Sequence, residues 1–115
     1  GSEMCIRDRL MEPLELTLLT PDAELAREVT GACVCDLLSF VMARGEAGMA
    51  WITVQTHLNV IAVASLCEFS CVIIAEGSAV EPETLAKAAG EGIPVLRSAL
   101  SEYTLGGRLY ALGVR

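Results

Sequence analysis

The sequence predicts a single-domain α/β fold, a mainly parallel sheet with helices on both faces. Three observations carry this expectation. From Val34 onward, short apolar runs alternate with longer helical stretches, joined by connections that suit strand–helix–strand crossovers and little else. Hydrophobic residues make up 53% of the chain and aromatics only 4%, so the core must be built from Val, Ile, Leu and Ala, the composition of a sheet covered on both sides. The length of 115 residues is that of one domain, near the size where a second subunit helps to bury surface.

The elements follow in order. Residues 1–9, "GSEMCIRDR", have codons that resemble the end of a transposase-type sequencing adapter, and they are expected to be a library artefact carried into an assembled, metagenomic gene. Residues 10–115 are then the domain, expected to lack a helix that would precede its first strand. "LELTLL" (Leu14 to Leu19) reads as that strand, and "TPDAEL" after it is turn chemistry built on Pro21 and Asp22. "REVTGACVC" (Arg27 to Cys35) reads as a second extended segment kinked at Gly31, with Asp36 as helix cap for "LLSFVMAR", whose apolar face is Leu37, Leu38, Val41 and Met42. "AWITV" is a strand, "VIAVASL" a helix apolar on nearly every side, and "CVIIA" (Cys71 to Ala75) the next strand. In "EPETLAKAA" Pro82 takes the first helical position, with Gly90 and Gly92 past the end. "IPVLR" is the last strand. The closing helix spaces Leu105, Leu109 and Leu112 on one face and stops at Gly113, and its Gly106-Gly107 pair implies close backbone packing or a subunit contact.

Several function classes are excluded. A net charge of −7 opposes a nucleic-acid surface, which depends on clustered Lys and Arg, and leaving out residues 1–9 does not change it. No apolar run reaches the roughly 18 residues a membrane span requires. The chain carries no P-loop, hydrolase elbow or dinucleotide-binding glycine pattern. Cys33, Cys35, Cys67 and Cys71 lack the C-x-x-C spacing of zinc and redox motifs and read as small buried hydrophobes of a reducing cytoplasm.

In open α/β sheets ligands gather outside the carboxyl ends of the strands. The polar residues expected on that edge are Thr30 and Gly31 with Asp36 and Ser39, then Gln55, Thr56, His57 and Asn59, then Glu76, Gly77 and Ser78, and last Arg97 and Ser98. Thr56 and Asn59 would donate to a small anion or nucleotide while His57, the only histidine, supplies a tunable proton. Two roles stay open for these residues: a ligand shell, or helix capping by Thr56 or Asn59 with His57 bonded to a neighbouring carbonyl.

"REVTGACVCDLLSFVMA", "WITVQTHLNVIAVASL" and "GIPVLRSALSEYTLGGRLYALG" together resemble the DRTGG domain family in its small stand-alone form, over about Leu16 to Val114. Arg27, Thr30 and Gly31 match the name-giving motif, Ala26 stands where the family often has Asp, and Ala32 replaces the second Gly. The resemblance implies a regulatory or interaction module of the kind found between CBS domains in regulated pyrophosphatases and in the N-terminal part of some phosphotransacetylases. It also implies similarity to the N-terminal, non-catalytic domain of HPr kinase/phosphorylase. A serine kinase activity does not transfer, because the P-loop is missing. Some relatives are encoded beside iron-only hydrogenase and signalling genes, and members tend to pair through this domain. The expectation is therefore a non-catalytic, cytoplasmic homodimer that senses a nucleotide or small anion, engages a protein partner, or does both, with no cofactor and no metal. The alternatives are a purely structural dimerisation module and a small enzyme using His57 as acid or base.

Overall fold

A computed structural model describes residues 4–115; residues 1–3, the start of the segment expected to be an adapter artefact, lie outside the described residues. A short π-helical turn, Ile6–Leu10, precedes strand β1, Thr17–Leu18. The alternation follows: β2 (Gly31–Val34), α1 (Leu38–Arg44), β3 (Met49–Thr53), α2 (Leu58–Leu66), β4 (Cys71–Ile74), α3 (Pro82–Glu91), β5 (Val95–Arg97) and α4 (Glu102–Leu112). The sheet order is β1-β5-β4-β3-β2. All neighbours are parallel except β1, which runs antiparallel to β5 with Leu18 opposite Leu96.

Side chains alternate across each strand, and this builds two cores. Ala50, Ile52, Cys71, Ile73 and Leu96 pack toward Leu105 and Leu109 of α4 and toward Ile6, Leu10 and Leu14. Trp51, Val72, Ile74 and Val95 point the other way, into Val41 of α1, Val60, Ile61 and Ala64 of α2, and Ala88 of α3. The α/β architecture with helices on both faces is thus the one the alternation implied. No helix among the described residues is long and apolar enough to cross a membrane.

Residues 4–10 are held by main-chain bonds to the segment before β2. Ile6 N–H donates to Arg27 O (3.2 Å), Arg7 N–H to Leu25 O (3.0 Å) and Val29 N–H to Met4 O (2.8 Å). Ile6 and Leu10 are fully buried.

Local differences from the sequence reading have physical causes. The first strand shrinks to two residues because Leu14 and Glu15 belong to the turn that follows the π-helical segment, where Glu15 takes a left-handed φ of 53°. In α1 only Val41 is fully buried, while Leu37 and Met42 are 62% and 51% exposed. Leu37 is the extended residue before the helix, and Met42 lies about 100° around the axis from Val41. Gly90 is inside α3; the helix stops at Gly92, which takes the left-handed conformation at φ 71° that glycine adopts without strain. The Gly106-Gly107 pair is only half explained within one chain. A side chain at Gly106 would lie 3.5 Å from Val34, whereas nothing lies within 4 Å at Gly107.

Candidate functional site

The carboxyl ends of the parallel strands are stitched together by Asp36. Its Oδ1 accepts hydrogen bonds from Thr53 Oγ1 (2.7 Å) and from the Val54 N–H (2.9 Å). Gln55 Nε2 donates to the Asp36 carbonyl (3.1 Å), the Gln55 N–H donates to Thr53 Oγ1 (3.1 Å), and Trp51 Nε1 donates to Cys35 O (2.8 Å). The cap expected of Asp36 is not made. Leu37 occupies the position before α1 and no side chain caps that helix. The Val54 N–H, just beyond the end of β3, and the fully buried Thr53 hydroxyl compete for the carboxylate instead.

His57 is the extended residue that leads into α2, with φ −93° and ψ 172°, and it makes no side-chain cap bond. Asn59 lies within the first turn and is exposed, so neither it nor Thr56 caps the helix. His57, Leu58 and Asn59 line a shallow open depression of about 370 Å³ whose other wall is Glu81 and Glu83, at the start of α3. Two carboxylates therefore share the space in front of His57. Their field opposes an anion and favours a group that donates hydrogen bonds or carries positive charge.

Beyond β4 the chain turns through two left-handed residues, Glu76 (φ 61°) and Gly77 (φ 65°). Their N–H groups donate to Leu100 O (2.9 Å) and Ser98 O (2.8 Å), which fastens this turn to the β5–α4 connection. Ser98 is buried, and its Oγ accepts from the Leu100 N–H (3.1 Å). Arg97 is opposite Thr17 in the β1–β5 pair. Ser101 caps α4, its Oγ accepting from the Thr104 N–H (3.1 Å). Glu102 follows, and burial pushes its carboxyl above the ordinary range, reinforced by a hydrogen bond with Asp36 and by the charges of Asp36 and Glu76.

Thr30 and Gly31 do not join this edge. β2 starts at Gly31 and ends at Val34, so Thr30 and Asp36 sit at opposite ends of an extended segment that rises roughly 3.3 Å per residue. The Thr30 N–H donates to Gly48 O (3.0 Å), and its side chain lies against Gly48, where φ is 86° and a Cβ would collide with the Thr30 hydroxyl. Arg27 also belongs to the amino edge, with Nη1 donating to Gly92 O (2.9 Å). Sequence reasoning missed Glu81, Glu83 and Glu102, which reach the carboxyl edge from helices distant along the chain. The signal available was their place in the first turns of α3 and α4, since helices that follow parallel strands begin at that edge.

The five cysteines are free thiols. Burial pushes Cys71 up to about 12 and raises Cys33 and Cys67 as well. Among the described residues no group of three His, Cys, Asp or Glu side chains is placed to hold a metal ion.

No protein-family model and no curated protein matches the chain. Among solved structures it is similar to the crystal structure of the CBS and DRTGG domains of the regulatory region of Clostridium perfringens pyrophosphatase complexed with activator, diadenosine tetraphosphate. The TM-score is 0.78 at 12% identity, over 96% of this chain and 48% of that one. The chain spans about half the length of the structure it matches. In fold this is a DRTGG-like α/β domain.

Proposed function

We propose that the chain is a non-catalytic regulatory domain that senses a nucleotide or another small anion at its carboxyl edge and works as a homodimer in the cytoplasm. The observation that carries this reading is the fold shared with a regulatory region crystallised with diadenosine tetraphosphate. Gln55, Thr56, His57 and Asn59 form the shell, with Glu76 and Gly77 beside it; Thr30 and Gly31 take no part, being at the other end of β2. Of these residues His57 and Asn59 face open space, whereas Gln55 is committed to the Asp36 carbonyl. Glu81 and Glu83 lower the affinity of this edge for any anion, and a nucleotide offsets that with ribose and base groups that donate to carboxylates.

A thermal-shift series with the full chain tests the reading, using diadenosine tetraphosphate, mononucleotides and inorganic phosphate. Ligand at a hundredfold excess over its dissociation constant adds about 2.7 kcal/mol of apparent stability. A shift abolished in His57→Ala and enlarged in the double variant Glu81→Gln/Glu83→Gln is the expected result. No shift with any nucleotide overturns the sensing reading.

A second reading, a dimerisation module that binds no ligand, is favoured by one observation. Val34, Leu37, Tyr103 and Tyr110 are exposed at the edge strand β2, the start of α1 and the outer side of α4, beside the small residues Gly106 and Gly107. Sedimentation equilibrium of Tyr103→Glu and Gly107→Glu tests the surface, because a dimer that uses it dissociates in both variants, while the nucleotide series separates the two readings. A protein partner would engage the same surface.

A further inference from the structure

We infer that the amino edge of the sheet, opposite the nucleotide reading's site, holds a second binding site, for a small organic amine with an apolar body. A cavity of about 270 Å³ lies between the turn that follows β1 and the last turn of α3. Its floor is apolar: Ala88 is fully buried, and Ile93 and the methyl-bearing Thr20 nearly so. The walls do not collapse into the space because cross-chain bonds fix them on both sides. The Val95 N–H donates to Thr20 Oγ1 (3.1 Å), and Arg27 Nη1 donates to Gly92 O (2.9 Å). Between these anchors Pro21 stiffens a turn closed by the Ala23 N–H to Thr20 O bond (3.0 Å). The pocket opens to solvent, and the side chains of Ala88 and Ala89 are short where a longer helix former would fill it.

Charge selects the ligand. Asp22 and Glu24 lie on the cavity, and it opens at the carboxyl end of α3, where the helix dipole is negative. Glu24 also turns one oxygen back to the Ala26 N–H (2.7 Å), and the neighbouring cation, Arg27, has its Nη1 on the Gly92 carbonyl. The sum favours a monocation. A cavity of about 270 Å³ suits a ring or short chain bearing one ammonium.

The test is a titration of the ¹⁵N-labelled full chain with benzylamine hydrochloride, benzyl alcohol and benzoate, followed by amide shifts. The expected result is saturable change confined to residues 20–24 and 88–93, tightest for the amine, severalfold weaker for the alcohol and lost for benzoate. Ala89→Phe, at an exposed helical position, fills the space and abolishes the change, and Asp22→Asn reduces the amine to the affinity of the alcohol. Scattered or unsaturable shifts, equal binding of amine and alcohol by the parent chain, or binding that survives in Ala89→Phe overturns the assignment. None of these outcomes depends on whether a nucleotide binds near His57.

Discussion

The Asp36 carboxylate lies 2.7 Å from the Thr53 hydroxyl, joining the end of the edge strand β2 to the end of its neighbour β3. The bond replaces the helix cap that Asp36 would otherwise supply, and it determines what a substitution does. Asp36→Ala leaves the buried Thr53 hydroxyl and the Val54 N–H without their acceptor, and the cost is about 1–3 kcal/mol in urea denaturation. Asp36→Asn keeps an acceptor oxygen in place and removes a charge that faces Glu102, so it costs much less. If Asp36 were a cap, Asp36→Ala would instead lower the helicity of α1 and Asp36→Asn, an equally good cap, would not, whereas loss of the strand-end bonds leaves that helicity unchanged.

Glu102 gives the carboxyl edge its pH dependence. Burial first, then Asp36 and the charge of Glu76, raise its carboxyl above the usual 4.5. A group raised on folding contributes stability that is fully present below its unfolded value and is lost as pH rises through the folded one. Glu102→Gln is therefore more stable than the parent at neutral pH, and the difference disappears in acid below that ordinary value. Urea midpoints for the two proteins across that range check the sign. A variant less stable than the parent at neutral pH means that the favourable helix dipole at the start of α4 outweighs burial.

Periodicity made most of the fold legible. Cys71 to Ile74 is an unbroken apolar run bounded by turn residues, and it is the central strand β4. Gly92 and Gly113, placed after helical patterns, take the left-handed stops. What the pattern could not supply is direction across the sheet. Thr30 and Asp36 lie a few residues apart in a polar-flanked strand, yet β2 separates them to opposite edges. Glu81 and Glu83 meet His57 only after two crossovers have brought the starts of α2 and α3 together. No local spacing records that meeting. Asp36 illustrates a further limit, because a carboxylate between a strand and a helix suits a cap as well as a strand-end acceptor, and only the register of β3 decides between them.

The thiols differ in reactivity for a physical reason that labelling exposes. The nucleophile is the thiolate, and Cys71, fully buried at the start of β4 with its thiol pushed up to about 12, supplies none near neutrality. Iodoacetamide with the folded chain leaves Cys71 unmodified, and it reacts only after denaturant unfolds the domain. Peptide mapping of partly labelled protein reads this directly. Modification of Cys71 before global unfolding would mean that β4 opens locally, at odds with its place in the middle of the sheet.

Gly45 ends α1 against an aromatic pair. Trp51 and Phe69 meet edge to face with centroids 5.8 Å apart, and a Cβ at Gly45 would stand 2.5 and 2.8 Å from ring atoms of Phe69 and 2.9 Å from Val41 O. The ring is fully buried and cannot swing away, so Gly45→Ala overpacks this core and costs about 1–3 kcal/mol. The near-ultraviolet circular dichroism of Trp51, the chain's single tryptophan, changes with it. The equivalent change at Gly107, where nothing lies within 4 Å, leaves monomer stability at least unchanged, and it weakens dimerisation if α4 forms the subunit contact.

Ile6 decides how far the domain depends on its first residues. Its side chain is fully buried among Leu10, Leu14, Leu25 and Val29, on the face of the sheet that α4 covers in part. Ile6→Ala removes a core side chain that the rigid sheet cannot collapse to replace, at a cost of about 2–5 kcal/mol. Removing residues 1–9 is more severe, because it also strips the main-chain bonds that Ile6 and Arg7 make to Arg27 and Leu25 and leaves Leu10 and Leu14 partly uncovered. Unchanged stability in both Ile6→Ala and the deletion would show that this face of the sheet is held by α4 alone.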